Sequence, residues 1–321
     1  MQNMRLRLNE ESYTGPLKEL ARCTFCPRAC GADRLRGKAG YCNSGAGFSI
    51  ASICIHRGEE PAVSGPEGIC NIFFTNCNLQ CLYCQNHQIS SNRLDHGSSD
   101  LSLTEVVGRI ADLLDQGIRR VGFVSPSHFI PQVEVIIRTI RAQGFDPVWV
   151  YNSNGYDSVQ SLRRLEGMID VYLPDLKYLD ADLAGKWSGA ADYPVHAMAA
   201  LREMYRQKGS PLHLADDGTA ESGIIVRHLV LPGGVQNSLD VVRFLALELS
   251  PKIHVSLMSQ YYPTGQVASL KELNRAITRS EYLTIVHELD RLGMHNGWIQ
   301  EFESSEFYRP DFDLPHPFEK S

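Results

Sequence analysis

Three cysteines stand close together in the segment F-F-T-N-C-N-L-Q-C-L-Y-C. Cys77, Cys81 and Cys84 are separated by three and by two residues, directly after a short apolar run. Thiolates at this spacing can wrap one loop around an iron–sulfur cube, each binding one iron and leaving the fourth iron free. The alternative is a structural zinc ion, for which His87 would be the fourth ligand, because closed zinc sites take four. The spacing favours a [4Fe-4S] cluster with an open catalytic position.

A second group of cysteines precedes this segment with the pattern C-x2-C-x3-C-x11-C. Its members are Cys23, Cys26, Cys30 and Cys42. Four thiolates at this spacing can close a tetrahedral zinc or iron site or hold a second iron–sulfur cluster. The intervening residues are too polar to form a core of their own, so we predict a second metal centre here. Cys54 and Cys70 lack a paired spacing and are predicted to be small buried hydrophobic residues.

The elements that position these cysteines follow from the hydrophobic pattern. Predicted strands cover residues 71–75, 120–124, 148–151, 170–173, 224–231 and 253–257, with a late strand at 298–302. Predicted helices cover residues 103–116, 132–143, 159–167, 239–249 and 270–292. Apolar strands that alternate with amphipathic helices indicate a parallel sheet covered by helices. Six such units predict an α/β fold, a partial (β/α)6 TIM-like barrel with its chemistry at the carboxyl ends of the strands.

The same pattern divides the chain into three parts. Residues 1–65 form a small Cys-rich N-terminal metal-binding module, because they are rich in Cys, Gly and Arg with little sustained periodicity. Residues 66–265 form the barrel core, and residues 266–321 form a C-terminal extension of helix and strand. The metal chemistry is concentrated in the first quarter, since all nine cysteines precede residue 85.

Composition narrows the class of partner and the location. The net charge of −6 and the pI near 6.0 provide no general basic field, which argues against bulk binding of nucleic acid. No apolar run has the length of a membrane helix, and the N-terminus lacks the apolar segment of a secretory signal. We therefore expect a cytoplasmic protein without a membrane partner, in which clustered cysteines serve metal binding rather than disulfides.

The cysteine spacing, with the aromatic Tyr83 just before the third cysteine, resembles that of the radical S-adenosylmethionine (SAM) superfamily. The segments N-S-N-G-Y (152–156), L-P-D-L-K-Y (173–178) and V-R-H-L-V-L-P-G (226–233) resemble, in order and spacing, those of pyruvate formate-lyase activating enzymes. The segments C-T-F-C-P-R-A-C-G, S-P-S-H-F-I-P-Q and S-L-M-S-Q-Y-Y-P are similar to the PflX subgroup. The resemblance covers roughly residues 21 to 300.

The resemblance implies a reaction class. In this superfamily SAM chelates the free iron, and an electron from the cluster cleaves SAM to methionine and a 5′-deoxyadenosyl radical, which abstracts hydrogen from a substrate. The implied cofactors are a [4Fe-4S] cluster and SAM, with an electron donor such as flavodoxin or ferredoxin. The chain would then be an oxidoreductase, and the first hypothesis is that it acts as a glycyl-radical-enzyme activase on a protein partner. The alternatives are direct radical modification of a peptide, small metabolite or RNA, and a non-catalytic iron–sulfur electron carrier, which the open-site cysteines disfavour.

The resemblance also implies residues that bind SAM. Tyr83 would lie beside the adenine and Asn154 at the ribose; the alternatives are a packing aromatic and an Asn-Gly turn. Asp175 and Lys177 are two residues apart in a strand, so both side chains point to one face at the barrel mouth. Arg227 stands among inward-facing apolar residues and needs an anion, either the SAM carboxylate or Asp175.

One segment departs from the superfamily pattern. Where a G-G-E-type segment usually binds the SAM amino group, this chain has V-S-P-S-H-F (124–129). Ser125, Ser127, His128 or backbone carbonyls would then supply the acceptors. His128 is the candidate for acid–base catalysis or substrate contact, with a structural histidine as the alternative. Glu59, Glu60 and His56 either face the substrate or cap a turn just before the barrel.

Overall fold

The fold of the chain, given by a computed structural model, is described for residues 14–94, 100–302, 310–314 and 317–318. The strands formed by these residues are β1 (Phe48–His56), β2 (Ile69–Phe74), β3 (Asp100–Leu101), β4 (Arg120–Val124), β5 (Val148–Ser153), β6 (Val171–Pro174), β7 (His213–Leu214), β8 (Ala220–Leu229), β9 (His254–Met258) and β10 (Gly297–Ile299).

Helices connect the strands. The α-helices within the same residues are α1 (Pro61–Ser64), α2 (His87–Ser90), α3 (Leu103–Asp115), α4 (Ile130–Ala142), α5 (Val159–Arg164), α6 (Ala181–Ser188), α7 (Tyr193–Lys208), α8 (Val235–Phe244) and α9 (Arg279–Arg291). Short 3-10 turns occupy Gly15–Arg22, Arg34–Arg36, Pro126–His128 and Gly265–Val267, and α8 continues into a π-helical turn at Leu245–Leu249. None of the described helices combines the length and the apolar character needed to cross a membrane.

The strands form one sheet in the order β10-β9-β8-β6-β5-β4-β2-β1-β3, with β7 paired to β8. From β2 to β10 along this path the neighbouring strands are parallel, whereas β1 pairs with β2 and β3 in antiparallel orientation. Helices α3, α4, α5, α7, α8 and α9 each lie between two successive parallel strands in the chain. The fold is therefore a partial (β/α)6 TIM-like barrel with a Cys-rich N-terminal region, as predicted.

Burial explains why these segments form these elements. Strand β2 is buried along its whole length, as expected for a parallel strand that is covered on both faces. Helix α3 begins at a capping box, in which Ser102 and Glu105 satisfy each other's backbone amides. Its buried residues Leu103, Val106 and Ile110 recur with the helical period and pack on the sheet.

Several elements differ from the sequence prediction: helices α1, α2, α6 and α7 and strands β1, β3 and β7 were not predicted, and one predicted helix is much shorter. Strand β1 lies in the segment expected to lack regular structure, and it extends the barrel sheet by pairing His56 with Ile69 of β2. The alternation in F-S-I-A-S-I-C-I-H was the signal for this strand. The helix predicted from residue 270 begins at Arg279 instead, because Thr278 and Glu281 form a capping box that sets its first turn.

Candidate functional site

A cavity of about 1120 Å³ lies within the barrel and reaches the carboxyl ends of its strands. Its wall is formed by the loop after β2, the ends of β4, β5, β6, β8 and β9, and residues of the segments 310–314 and 317–318. Its other end reaches Glu59 and Glu60, which follow β1. The cavity is larger than the 300–1,000 Å³ or so that is typical for one small ligand, so it has room for a cofactor and a substrate together.

The loop that carries the three central cysteines is held by hydrogen bonds to neighbouring segments. The Cys77 amide donates to Asn92 Oδ1 at 3.0 Å, and Asn78 Nδ2 donates to the Tyr156 carbonyl at 2.8 Å. Asn76, just before the first cysteine, adopts the left-handed region with φ of 62°, a conformation that Asn tolerates well. The fold therefore fixes the loop at the mouth of the barrel.

All three cysteines, Cys77, Cys81 and Cys84, line the cavity. Each sulfur has a polar side chain beside it: Asn154 Nδ2 lies 3.3 Å from Cys77 Sγ, Ser188 Oγ lies 2.9 Å from Cys81 Sγ, and Ser90 Oγ lies 3.2 Å from Cys84 Sγ. Hydrogen bonds to the sulfurs are one of the ways in which a protein sets the potential of an iron–sulfur cluster.

The chemistry of this donor set fits an iron–sulfur cluster. Burial raises the pKa of the Cys77 thiol to about 12 and that of the Cys81 thiol to about 11. A bound metal deprotonates such thiols outright, and soft thiolates are the ligands that iron–sulfur clusters take. His87, the ligand that zinc would need, has its Nδ1 at 3.2 Å from the Cys84 carbonyl and is not on the cavity wall.

The aromatic residue expected beside the adenine, Tyr83, is on the cavity wall and 5% exposed. Its hydroxyl pairs with the Tyr178 hydroxyl at 2.5 Å, and burial raises its pKa well above the usual value. Asn154, expected at the ribose, also lines the cavity, and its amide donates to Asn78 Oδ1 at 2.8 Å as well as approaching Cys77. Contact of either residue with SAM stays a prediction.

The glycine that follows Asn154 serves a close approach between two strand ends. Gly155 has φ of 81°, and a Cβ added there would lie 2.1 Å from the Asp175 carbonyl oxygen. Only glycine fits this position without displacing backbone. The Asn-Gly pair thus brings the end of β5 against the segment that carries Asp175 and Lys177.

A charged network spans the interior of the barrel. Arg227 Nε donates to Asp175 Oδ1 at 2.8 Å, and Lys177 Nζ donates to Asp175 Oδ2 at 2.6 Å. Arg227 also reaches Glu59 Oε2 at 3.3 Å and Asn152 Oδ1 at 2.6 Å. The ion pair of Arg227 with Asp175, one of the two alternatives from the sequence, is therefore present, and a contact with SAM by any of these residues stays a prediction.

These pairings determine the charge states of the carboxylates. Burial would raise the pKa of Asp175, but Arg227 and Lys177 outweigh it and hold that pKa below its usual value. Burial would likewise raise the pKa of Glu59, but the hydrogen bond from His56 and the charge of Arg227 lower it to about 2. Both carboxylates are therefore ionised at neutral pH, which keeps the network intact.

Sequence analysis missed two members of this network. Asn71, 1% exposed, donates to Glu59 Oε1 at 2.9 Å, and Asn152 donates to the same oxygen at 3.2 Å. The available signal was an asparagine within the apolar strand I-C-N-I-F-F, because a buried amide needs a polar partner. Glu59 faces the cavity and does not merely cap a turn.

The segment after β4 is placed in part as expected. Ser125 lines the cavity in the left-handed conformation, with φ of 50°, whereas Ser127 and His128 are buried behind the cavity wall. His128 Nε2 lies 3.2 Å from the Thr75 carbonyl, and Arg34 donates to the His128 carbonyl at 2.6 Å. Burial, followed by the charge of Arg34, lowers the pKa of His128 to about 3. This position favours the structural alternative for His128, and its catalytic role stays a prediction that the arrangement does not favour.

The four N-terminal cysteines lie in a segment folded against the barrel mouth. Cys23, Cys26 and Cys42 are buried and Cys30 is exposed, and burial raises the pKa of Cys26 to about 12. Each of the other three raises the pKa of Cys26 further, which indicates that the four thiols are neighbours. Among the described residues, no three His, Cys, Asp or Glu side chains converge closely enough for a single metal ion.

The N-terminal segment contacts the central cysteine loop directly. Asn76 Nδ2 donates to the Asn43 carbonyl at 3.1 Å. Because Cys42 precedes Asn43 and Cys77 follows Asn76, this hydrogen bond joins the two cysteine segments. Arg28 Nε donates to the Asn78 carbonyl at 3.1 Å. The four N-terminal cysteines are therefore close to the loop that carries the candidate cluster ligands.

C-terminal residues complete the cavity wall on the side of β1 and β2. The Phe318 ring lies 3.9 Å from that of His56, and the Phe312 ring lies 5.2 Å from that of Phe73, measured between ring centroids. The Phe312 amide donates to Gln88 Oε1 at 3.0 Å. These contacts tie the end of the chain to its first two strands and to helix α2.

Comparison with known proteins gives matches of three kinds. Residues 63–196, which include the three central cysteines, match the family model of a 4Fe-4S single cluster domain. An uncharacterized protein of Methanocaldococcus jannaschii is 25% identical over 263 residues, which are 81% of this chain and 71% of that protein.

Solved structures with a similar fold include SuiB of Streptococcus suis bound to S-adenosylmethionine, with 12% identity and a TM-score of 0.47 over 71% of this chain and 48% of SuiB. Another is the FeFe-hydrogenase maturase HydG of Carboxydothermus hydrogenoformans, with 16% identity and a TM-score of 0.46 over 70% of this chain and 50% of HydG. The present chain thus spans about half the length of these two proteins.

Proposed function

We propose that this chain is a radical SAM enzyme, with a [4Fe-4S] cluster on Cys77, Cys81 and Cys84 and SAM in the adjoining cavity. The observation that carries the proposal is that all three cysteines line one cavity within a partial (β/α)6 barrel. The match of residues 63–196 to a 4Fe-4S single cluster domain supports the cluster. When bound, the cluster would supply the electron that cleaves SAM and so starts hydrogen abstraction from a substrate.

The protein's own residues would bind and orient these groups. The amide of Asn154 and the hydroxyls of Ser188 and Ser90 adjoin the sulfur ligands, and Tyr83 offers an aromatic surface on the cavity wall. Asp175 and Lys177 present opposite charges to the same cavity, which suits a ligand with an amino and a carboxylate group.

Reductive cleavage of SAM is the direct test. We expect anaerobically reconstituted protein with dithionite to convert SAM slowly to 5′-deoxyadenosine and methionine without added substrate, because the three-cysteine site leaves one iron free. Liquid chromatography of both products against time measures the reaction, and omission of dithionite is the control. Protein that holds a full cluster but forms neither product would contradict the proposal.

The substrate proposed from the motif resemblance would share this cavity with SAM. If the chain is an activase of the PflX subgroup, this substrate is a glycine-bearing segment of a partner protein; otherwise it is a free peptide, a small metabolite or RNA. The reducing electron would come from a flavodoxin or ferredoxin in the cytosol. A glycyl-radical signal in electron paramagnetic resonance, formed on a partner after incubation with SAM, distinguishes the activase from the alternatives.

We also propose a second metal centre on Cys23, Cys26, Cys30 and Cys42. The other three N-terminal cysteines raise the pKa of Cys26, which indicates that the four thiols are neighbours. The N-terminal segment that carries them lies against the central cysteine loop. A centre there would cross-link a polar segment that has little apolar surface of its own.

Metal analysis of a variant with Cys77, Cys81 and Cys84 replaced by alanine tests this second centre. We expect metal to remain: roughly one zinc or iron per chain for a mononuclear site, or about four irons with sulfide for a cluster. Further replacement of Cys26 should remove it, whereas replacement of Cys54, a buried cysteine of β1, should not. A triple variant without metal would refute the second centre.

A further inference from the structure

Two consecutive glutamates after β1 have opposite surroundings. Glu59 accepts hydrogen bonds from Asn71, Asn152 and Arg227. Glu60 also lines the cavity and is 8% exposed, but its Oε2 has no hydrogen-bond partner among the residues that the structure describes. Burial of a carboxylate oxygen without a donor is unfavourable, so the position of Glu60 needs a reason beyond folding.

Arg227, whose charge acts on Glu60, is already engaged. Arg227 has acceptors on Asp175, Glu59 and Asn152, and the Lys177 ammonium is held by Asp175. The long-range charge of Arg227 reaches Glu60 without providing a hydrogen bond. Ser256 offers Glu60 a side-chain hydrogen bond, but no donor among the described residues reaches Glu60 Oε2.

The cavity as a whole has an excess of carboxylates. The acidic side chains on its wall are Glu59, Glu60, Asp175, Glu301 and Asp311, and the basic ones are Arg57, Lys177 and Arg227. Such a cavity attracts cations and disfavours an additional anion. Ser256 lies beside Glu60, and Trp298 lines the same cavity, so a cationic group there could also meet a hydroxyl and an indole face.

We propose that the substrate carries a protonated amine or a guanidinium, and that Glu60 binds this group within the barrel. The inference rests on the function proposed above, since it names the substrate class for the same cavity. Glu60 is a binding residue in this scheme, whereas Glu59 is a positioning residue that holds Arg227. Burial, the largest influence, raises the pKa of Glu60, and a bound cation would favour its ionised form.

Binding of small probes tests the charge preference without requiring turnover. The probes are n-butylammonium and n-butylguanidinium, with n-butanol and butyrate as neutral and anionic analogues of similar size. Ligand-observed saturation-transfer NMR is run on the anaerobic full-length protein with its cluster, without dithionite. We expect the two cations to bind and the two analogues not to bind, since a charge-assisted pair is formed only with the cations.

The variant E60Q removes the charge and keeps the shape of the side chain. Its affinity for both cations should fall by roughly tenfold or more, as expected for the loss of a charge-assisted hydrogen bond. E301Q is the matched control, because it makes the same change at an exposed position on the same cavity wall, and it should bind the cations as the wild type does. Cluster content and melting temperature verify that both variants are folded.

The outcomes separate this inference from the proposed function. Equal binding of butanol or butyrate by the wild type would overturn the inference even if E60Q failed to fold, and so would unchanged cation binding in folded E60Q. Dithionite-dependent SAM cleavage is measured in the same wild-type preparation. Cleavage without a preference for cations would contradict the substrate class alone, whereas selective cation binding without cleavage would contradict the radical SAM function alone.

Discussion

Replacement of Cys81 by alanine is expected to remove the [4Fe-4S] cluster and SAM cleavage together. With two thiolates left, the loop can no longer hold a cube that takes three, and no other cysteine among the described residues lines the cavity wall to replace the lost thiolate. Iron and sulfide content, the electron paramagnetic resonance signal of the reduced protein and the yield of 5′-deoxyadenosine measure the effect. We expect the yield to fall to the background without dithionite.

The control for this prediction is Cys70→Ala. Cys70 is fully buried in β2, close in sequence to the cluster loop, but it is not on the cavity wall. Its loss should lower stability modestly, by about 1 kcal/mol for the small volume removed, and leave the cluster in place. Undiminished cleavage in the Cys81 variant, or equal losses in both variants, would refute the assignment of the cluster ligands.

Replacement of Arg227 by alanine should lower the free energy of unfolding by about 3–5 kcal/mol, because it leaves Glu59 and Asp175 buried without their partner. If Arg227 also binds the SAM carboxylate, SAM affinity should fall by roughly ten- to a hundredfold, since a charge-assisted hydrogen bond is worth about 1.5–3 kcal/mol. Urea unfolding measures the first effect, and equilibrium binding of SAM to cluster-loaded protein measures the second.

Arg243→Ala is the matched control for stability. Arg243 pairs with Glu288 and Asp240 at the protein surface, and its side chain is 40% exposed. Surface pairs contribute about 0–1 kcal/mol, so this variant should remain close to the wild type. A small loss of stability in Arg227→Ala would show that the buried network tolerates the loss of its cation. Unchanged SAM affinity would show that Arg227 forms a structural ion pair and does not bind SAM.

The sequence was most informative where local pattern determines structure. Strand β4 was predicted with its observed bounds, because a short apolar run between turn residues needs no distant information. The loop with Cys77, Cys81 and Cys84 was predicted to bind a metal cluster from the spacing of its cysteines. Strand β1 was missed because its alternation lies in a segment dominated by Cys, Gly and Arg.

Tertiary partners could not be read from the sequence. Arg227 and Glu59 are 168 residues apart in the sequence, and only the folded barrel brings Arg227 Nη1 within 3.3 Å of Glu59 Oε2. The burial of His128 depends likewise on Arg34 and the Thr75 carbonyl, neither of which is its neighbour in sequence. The sequence alone therefore left both the catalytic and the structural alternative open for His128.

The ring contacts of Phe312 and Phe318 with Phe73 and His56 have a consequence for biosynthesis. All nine cysteines precede residue 85, so they leave the ribosome long before these two phenylalanines. Until Phe318 has been made, the cavity lacks this part of its wall on the side of β1 and β2. The order of synthesis therefore makes the cysteines available before this part of the wall is in place.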